Sequence, residues 1–231
     1  MKKYIALLLA VGCAALFFAA GAEALTAAGS FQAFIEAVER FDERLSRAVP
    51  WDELDEEDVL PMDPVAQLRY FFRPLFNLGV SKDSIENEKE SHGLESVTYD
   101  EQGNKFRILC KYKTGDRQNY EGTYDQESDR MICRWVWDRG PGGGIIEDLV
   151  LEYMKTDFGY VARLYDVSRE CVHKLAIRGD EGMVSWGFTK FETLYASKDY
   201  PKEGGNWYEI SGDRFIFQPR KGPAREYVII K

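Results

Sequence analysis

Apolar positions recur with two different periods along this 231-residue chain. Between Phe31 and Val49 they fall three and four residues apart, at Phe31, Phe34, Ile35, Val38, Phe41, Leu45 and Val49, with Glu36, Glu39, Arg40, Glu43 and Arg47 opposite. That spacing marks one face of an α-helix, for which Ser30 is the expected cap and Pro50 the stop. A second helix is expected to open at Asp63-Pro64, bury Val65, Leu68, Phe72, Leu75 and Leu78, kink at Pro74 and end at Gly79. The helical part thus spans residues 30–79 and contains an acidic linker over 50–63.

From Leu94 the period falls to two. Alternation sorts Phe106, Ile108, Cys110 and Tyr112 to one face of a strand; Met131, Cys133, Trp135 and Trp137 to one face of another. The same holds for Leu149, Leu151 and Tyr153; for Phe158, Tyr160, Ala162 and Leu164; and for Cys171, His173, Leu175 and Ile177. Further strands are expected at 184–188, 191–195, 207–210, 215–217 and 227–230. Four turns have the same build, an aromatic-acid pair followed by turn formers, at Tyr99-Asp100, Tyr124-Asp125, Tyr165-Asp166 and Tyr208-Glu209. They read as tight corners of a meander. The fold class is therefore α+β, mostly β: a strongly curved antiparallel β-meander, half-barrel or barrel-like, of about 10–12 strands, with one or two N-terminal helices packed on it.

Ahead of all this stand Lys2 and Lys3, an apolar run from Tyr4 to Ala20, and the small residues Ala20-Gly21-Ala22. This reads as a signal peptide over 1–24, cut after Ala22 or Ala24, followed by a single exported domain over 25–231, periplasmic or secreted. The alternatives are lipidation at Cys13 or an uncleaved segment, and membrane contact is expected only through one of these. Three cysteines follow the signal: Cys110, Cys133 and Cys171. A whole strand between the first two holds them beyond disulfide reach, so buried free thiols are expected.

The charge of −9 opposes binding to nucleic acid. Its densest stretch is Asp52-Glu53-Leu54-Asp55-Glu56-Glu57-Asp58, read as a solvated linker, with a basic partner or Ca2+ as the functional alternatives. The EF-hand pattern is absent there. It also fails at Asp125, Glu127 and Asp129, where Arg130 stands in place of the central glycine.

No nucleophile, metal-ligand or phosphate-loop signature rises above background, and neither a cofactor nor a metal is expected. Cys171 and His173 share a strand face, but a two-residue step separates side chains by nearly 7 Å, too far for proton transfer. Arg139-Gly140-Pro141-Gly142-Gly143-Gly144 lacks the Lys-Ser or Lys-Thr of a phosphate loop and reads as a connection between strands. Glu147, Asp148 and Glu152 are the carboxylates a hydrolase would use, yet Glu147 and Asp148 face opposite ways on an extended chain.

The clue that remains is aromatic. Five Trp, thirteen Tyr and fourteen Phe are many for this length. Trp135, Trp137, Tyr160, Trp186 and Trp207, with Tyr195, lie on segments able to line a concavity. The expected function is a non-enzymatic envelope binding protein holding a lipid-like or other hydrophobic small molecule in that concave face. Alternatives are a cell-wall or polysaccharide-binding module that stacks glycan on exposed Trp, and a structural envelope or adhesin subunit. The expected architecture is similar in general shape to the half-barrel lipid carriers of bacterial envelopes, with no shared motif.

Overall fold

The computed structural model describes residues 26–50, 53–54, 93–188, 194–204 and 206–229. The expected signal peptide and second helix lie outside the described residues, as does the acidic linker apart from Pro50, Glu53 and Leu54. No described helix is long and apolar enough to cross a membrane.

Helix α1 runs from Ala27 to Ala48. Its cap is Thr26, whose hydroxyl accepts a hydrogen bond from the Gly29 amide at 3.1 Å, rather than the expected Ser30. Ser30 is instead fully buried one turn in, because its hydroxyl is used against the sheet. The helix stops where Val49 becomes extended ahead of Pro50. Its apolar face is buried as the spacing requires: Phe31, Phe34, Ile35, Val38, Phe41 and Leu45.

The rest is one eleven-stranded sheet, curled but not closed, in which every strand pairs antiparallel with its neighbours in sequence. The strands are β1 (Leu94–Gln102), β2 (Lys105–Tyr112), β3 (Arg117–Asp125), β4 (Arg130–Asp138), β5 (Ile145–Lys155) and β6 (Tyr160–Asp166). They continue as β7 (Cys171–Arg178), β8 (Glu181–Gly187), β9 (Asn206–Ser211), β10 (Arg214–Gln218) and β11 (Arg225–Val228). All four aromatic-acid turns are hairpin corners of this meander. Two expectations need correction. Phe158 precedes β6 instead of belonging to it, and Leu194 and Tyr195 are irregular chain, followed by a 3-10 turn at Tyr200–Glu203 ahead of β9.

Odd-numbered turns fall at one end of the strands and even-numbered turns at the other. Helix α1 lies along the first end. Ser30 meets Asp129 in the β3–β4 turn, Phe34 meets Tyr160 at the start of β6, and Arg44 meets Asp180 in the β7–β8 turn and the Gly212 carbonyl in the β9–β10 turn. The helix packs on the inner face, where Phe34 stacks on Tyr153 at 4.3 Å. Gly182 permits the approach, because a Cβ there would stand 2.6 Å from the Ala176 carbonyl oxygen and 3.2 Å from the Phe41 ring.

The outer face is not the solvated surface that alternation implies. Glu152, Arg163, Lys174 and Ser185 form a row across β5 to β8 and are all buried. Leu194 and Tyr200 pack over this side against Val161 and Ala176. Glu152 pairs with Arg130 and Arg163, and the Lys174 ammonium sits 3.2 Å from Glu203 and 4.7 Å above the Tyr200 ring. Buried charges persist only when paired in this way.

Candidate functional site

Register fixes which aromatic residues can share a site. Trp135 pairs with Tyr120 and Leu149, and Trp137 with Gln118 and Glu147, so both Trp rings project from the inner face of β4. Their centroids are 6.3 Å apart; Trp135 is fully buried and Trp137 half-buried. Trp186 lies between His173 and Asn206 on the same face and is half-buried, with Phe188 edge-on at 4.7 Å. Tyr160 also faces inward, but at the helix end, under Phe34.

Trp207 departs from the expected grouping. It pairs with Ser185 and Gln218 and so occupies the outer face, with the Lys202 ammonium 5.5 Å from its ring. Tyr195 is on that side too, hydrogen-bonded to Glu203 and edge-on to Tyr200. The sequence could not fix this parity, because counting by twos is interrupted over residues 188–205.

The inner-face site therefore sits at the end of the sheet opposite α1. Trp135 and Trp137 on β4 and Trp186 on β8 face inward there, and the rim of this end carries three exposed apolar side chains: Ile145 at the start of β5, Val167 in the β6–β7 turn and Phe188 after β8. Three exposed apolar groups at one end of a sheet differ from the scattered singles of an ordinary surface. The connection 139–144 closes the same end. Its Arg139 amide donates to the Gly144 carbonyl at 3.1 Å, and Gly140 packs on the β2–β3 turn, where a Cβ would meet the Gly115 carbonyl oxygen at 2.4 Å. The β4–β5 ladder shifts register between Trp137 and Asp138, a bulge that re-aims the chain as it leaves the site.

Polar groups are interleaved with these rings. Cys171 and His173 are buried beside each other on β7, and the His173 Nδ1 has no hydrogen-bond partner among the described residues. Burial holds this imidazole down at about 4, against a pull from Asp166 in the other direction. Asp166 itself is committed to the β6–β7 turn, accepting from the Ser168 and Arg169 amides at 3.0 Å, with the Arg169 guanidinium at 3.4 Å. Burial raises the carboxyl of Glu147, which shares the inner face with Trp137.

The other candidates for chemistry are engaged or buried elsewhere. Asp148 points outward into a two-pronged pair with Arg134 at 2.8 and 2.5 Å, and Glu152 is locked in the outer charge row. Glu147 thus stands apart from both. Cys110 and Cys133 lie on β2 and β4 with β3 between them, and all three described cysteines are free and buried. Burial pushes the Cys110 thiol up to about 12 and raises Cys133 and Cys171 as well, so none is a ready nucleophile. Asp129 terminates a hairpin with φ of +42° and receives Ser30 at 2.5 Å and Tyr124 at 3.0 Å, an anchoring role. Among the described residues no group of three or more His, Cys, Asp or Glu could hold a metal. Recesses of about 460 Å³ on the outer face of β1 to β4, and of about 410 Å³ between Thr26 and the β1–β2 and β3–β4 turns, are lined by none of the five aromatic candidates. Compared with protein-family models, curated proteins and solved structures, the chain matches none.

Proposed function

We propose that this chain is an exported, non-enzymatic binding protein of the cell envelope, holding a lipid-like or other hydrophobic ligand against the inner face of its curled sheet. The ligand enters at the end opposite α1, where Trp137 and Trp186 form the wall over Trp135. The observation that carries this reading is that exposed Ile145, Val167 and Phe188 lie at the same end of the sheet as half-buried Trp137 and Trp186, with Phe188 edge-on to Trp186. Water-exposed apolar surface is tolerated at an opening that a ligand covers. Tyr160 plays a structural part at the other end, and Trp207, on the outer face beneath Lys202, stands outside the wall.

Native mass spectrometry of the protein isolated from its own envelope tests the reading. A bound hydrophobe of defined mass is the expected result. Repeated ligand-free spectra, together with no uptake of a solvatochromic apolar probe, overturn it.

A further inference from the structure

Among the described residues, four buried polar atoms without a hydrogen-bond partner lie toward the same end of the inner face: Trp137 Nε1, Glu147 Oε2, His173 Nδ1 and Asn206 Oδ1. They come from four strands, β4, β5, β7 and β9. Register joins them as two groups on one face. Trp137 lies opposite Glu147, while His173 and Asn206 flank Trp186. Glu147 and His173 both feel the charges of Asp166 and Arg169, which sit in the β6–β7 turn at this end. His173 is only 4% exposed and Asn206 only 7%. Leaving such groups unpaired is costly, and their clustering on one face points to a missing partner rather than to four independent defects.

We propose that this cluster seats an uncharged polyhydroxyl head group, glycerol or a sugar, on the ligand whose apolar part the inner face holds. The inference rests on the binding role argued above and specifies its ligand. Trp137 Nε1 can only donate, and Asn206 Oδ1 can only accept. Glu147 Oε2 accepts when ionised, and His173 Nδ1 does either according to tautomer. A partner for the whole set must therefore offer donors and acceptors together, which hydroxyls do. A carboxylate or phosphate head brings no donors when ionised and meets the charge of Glu147, since Arg169 is already engaged by Asp166. An ammonium head offers no acceptor to Trp137.

Four amphiphiles with the same twelve-carbon chain separate head from tail: dodecyl glucoside, monolaurin, dodecanoate and dodecylamine. Calorimetric titration of the full chain below the micellar range is expected to give glucoside or monolaurin binding at least about 10-fold tighter than dodecanoate or dodecylamine. Whichever of glucoside and monolaurin binds more tightly identifies the head as sugar or glycerol. Trp137→Phe keeps the ring and removes the N–H; it is expected to weaken the polyhydroxyl ligand about 10-fold, the worth of one buried hydrogen bond, and to leave dodecanoate unchanged. Asn206→Leu, on a different strand, repeats the measurement should the first variant fold poorly. Equal binding of all four heads, unmoved by either variant, overturns the head-group inference and leaves the hydrophobic-ligand reading standing. No binding by any of the four overturns both.

Discussion

His173 shows how one residue's surroundings become a measurable property. Burial holds its folded-state pKa at about 4, below the ordinary 6.5, with Asp166 opposing and Arg169 adding to the depression. In the unfolded chain the same imidazole takes up a proton near pH 6.5. Below that pH the unfolded state binds more protons, so stability that is intact above 6.5 is lost as the pH falls toward about 4. The full loss is of order 3 kcal/mol, at about 1.4 kcal/mol per pKa unit. Glu147 acts in the opposite sense, because its raised carboxyl favours the folded state when protonated. Urea unfolding at pH 7.5 and pH 5 is expected to show a marked loss for the parent protein and a much flatter response for His173→Phe. Equal pH slopes in the two proteins would show that this imidazole does not resist protonation.

At the scale of elements, one joint of α1 to the sheet runs through a single tyrosine. Phe34 stacks on Tyr153 at 4.3 Å, and Ser30 reaches the Tyr153 hydroxyl at 2.8 Å, so ring and hydroxyl of one tyrosine receive two contacts from the helix. Phe34→Ala is expected to cost about 3–5 kcal/mol through the cavity it opens. Ser30→Ala is expected to cost about 1–3 kcal/mol, because Tyr153 and Asp129 lose a buried partner. The double variant is expected to fall short of additivity by at least about 0.5 kcal/mol, the coupling passing through the shared tyrosine. Simple addition in chemical denaturation would mean that the two contacts act independently.

Legibility in the sequence divides along the same elements. The stripe on α1 and the four aromatic-acid corners are local signals, decided by residues within a few positions of each other, and the structure carries both. Thr26 as cap was hidden because Ser30 is also a capping residue by chemistry and only the sheet decides that it is needed elsewhere. The buried row of Glu152, Arg163 and Lys174 was illegible for a related reason: alternating charges read as solvated until a distant segment, Leu194 to Glu203, is laid across them. Within the site, Trp135, Trp137 and Trp186 could be grouped by strand parity, whereas Trp207 required knowing how the chain crosses from β8 to β9. The unpaired atoms of Glu147, His173 and Asn206 carry no sequence signal, since polar side chains are paired or unpaired only in three dimensions.

For the molecule as a whole, the two ends of the sheet differ in kind. One is shut by a helix with a polar latch; the other presents Ile145 and Phe188 at 64% and 61% exposure beside half-buried tryptophans. Replacing both rim residues by serine is expected to leave the thermal midpoint within a few degrees, since exposed apolar positions contribute little to folding. Uptake of an apolar probe is expected to fall several-fold in the same variant. Unchanged uptake would place the entry elsewhere on the molecule.

The meander order has a kinetic corollary. Each ladder joins strands that follow one another in the chain, so most pairing closes short loops and zips from any starting hairpin. Helix α1 is the exception, because its anchors Asp129, Asp180 and Gly212 lie 99, 136 and 168 residues from their helix partners. The entropy of long-range closure is thereby concentrated in a single docking event, and a sheet already assembled can seat or release that helix as one body.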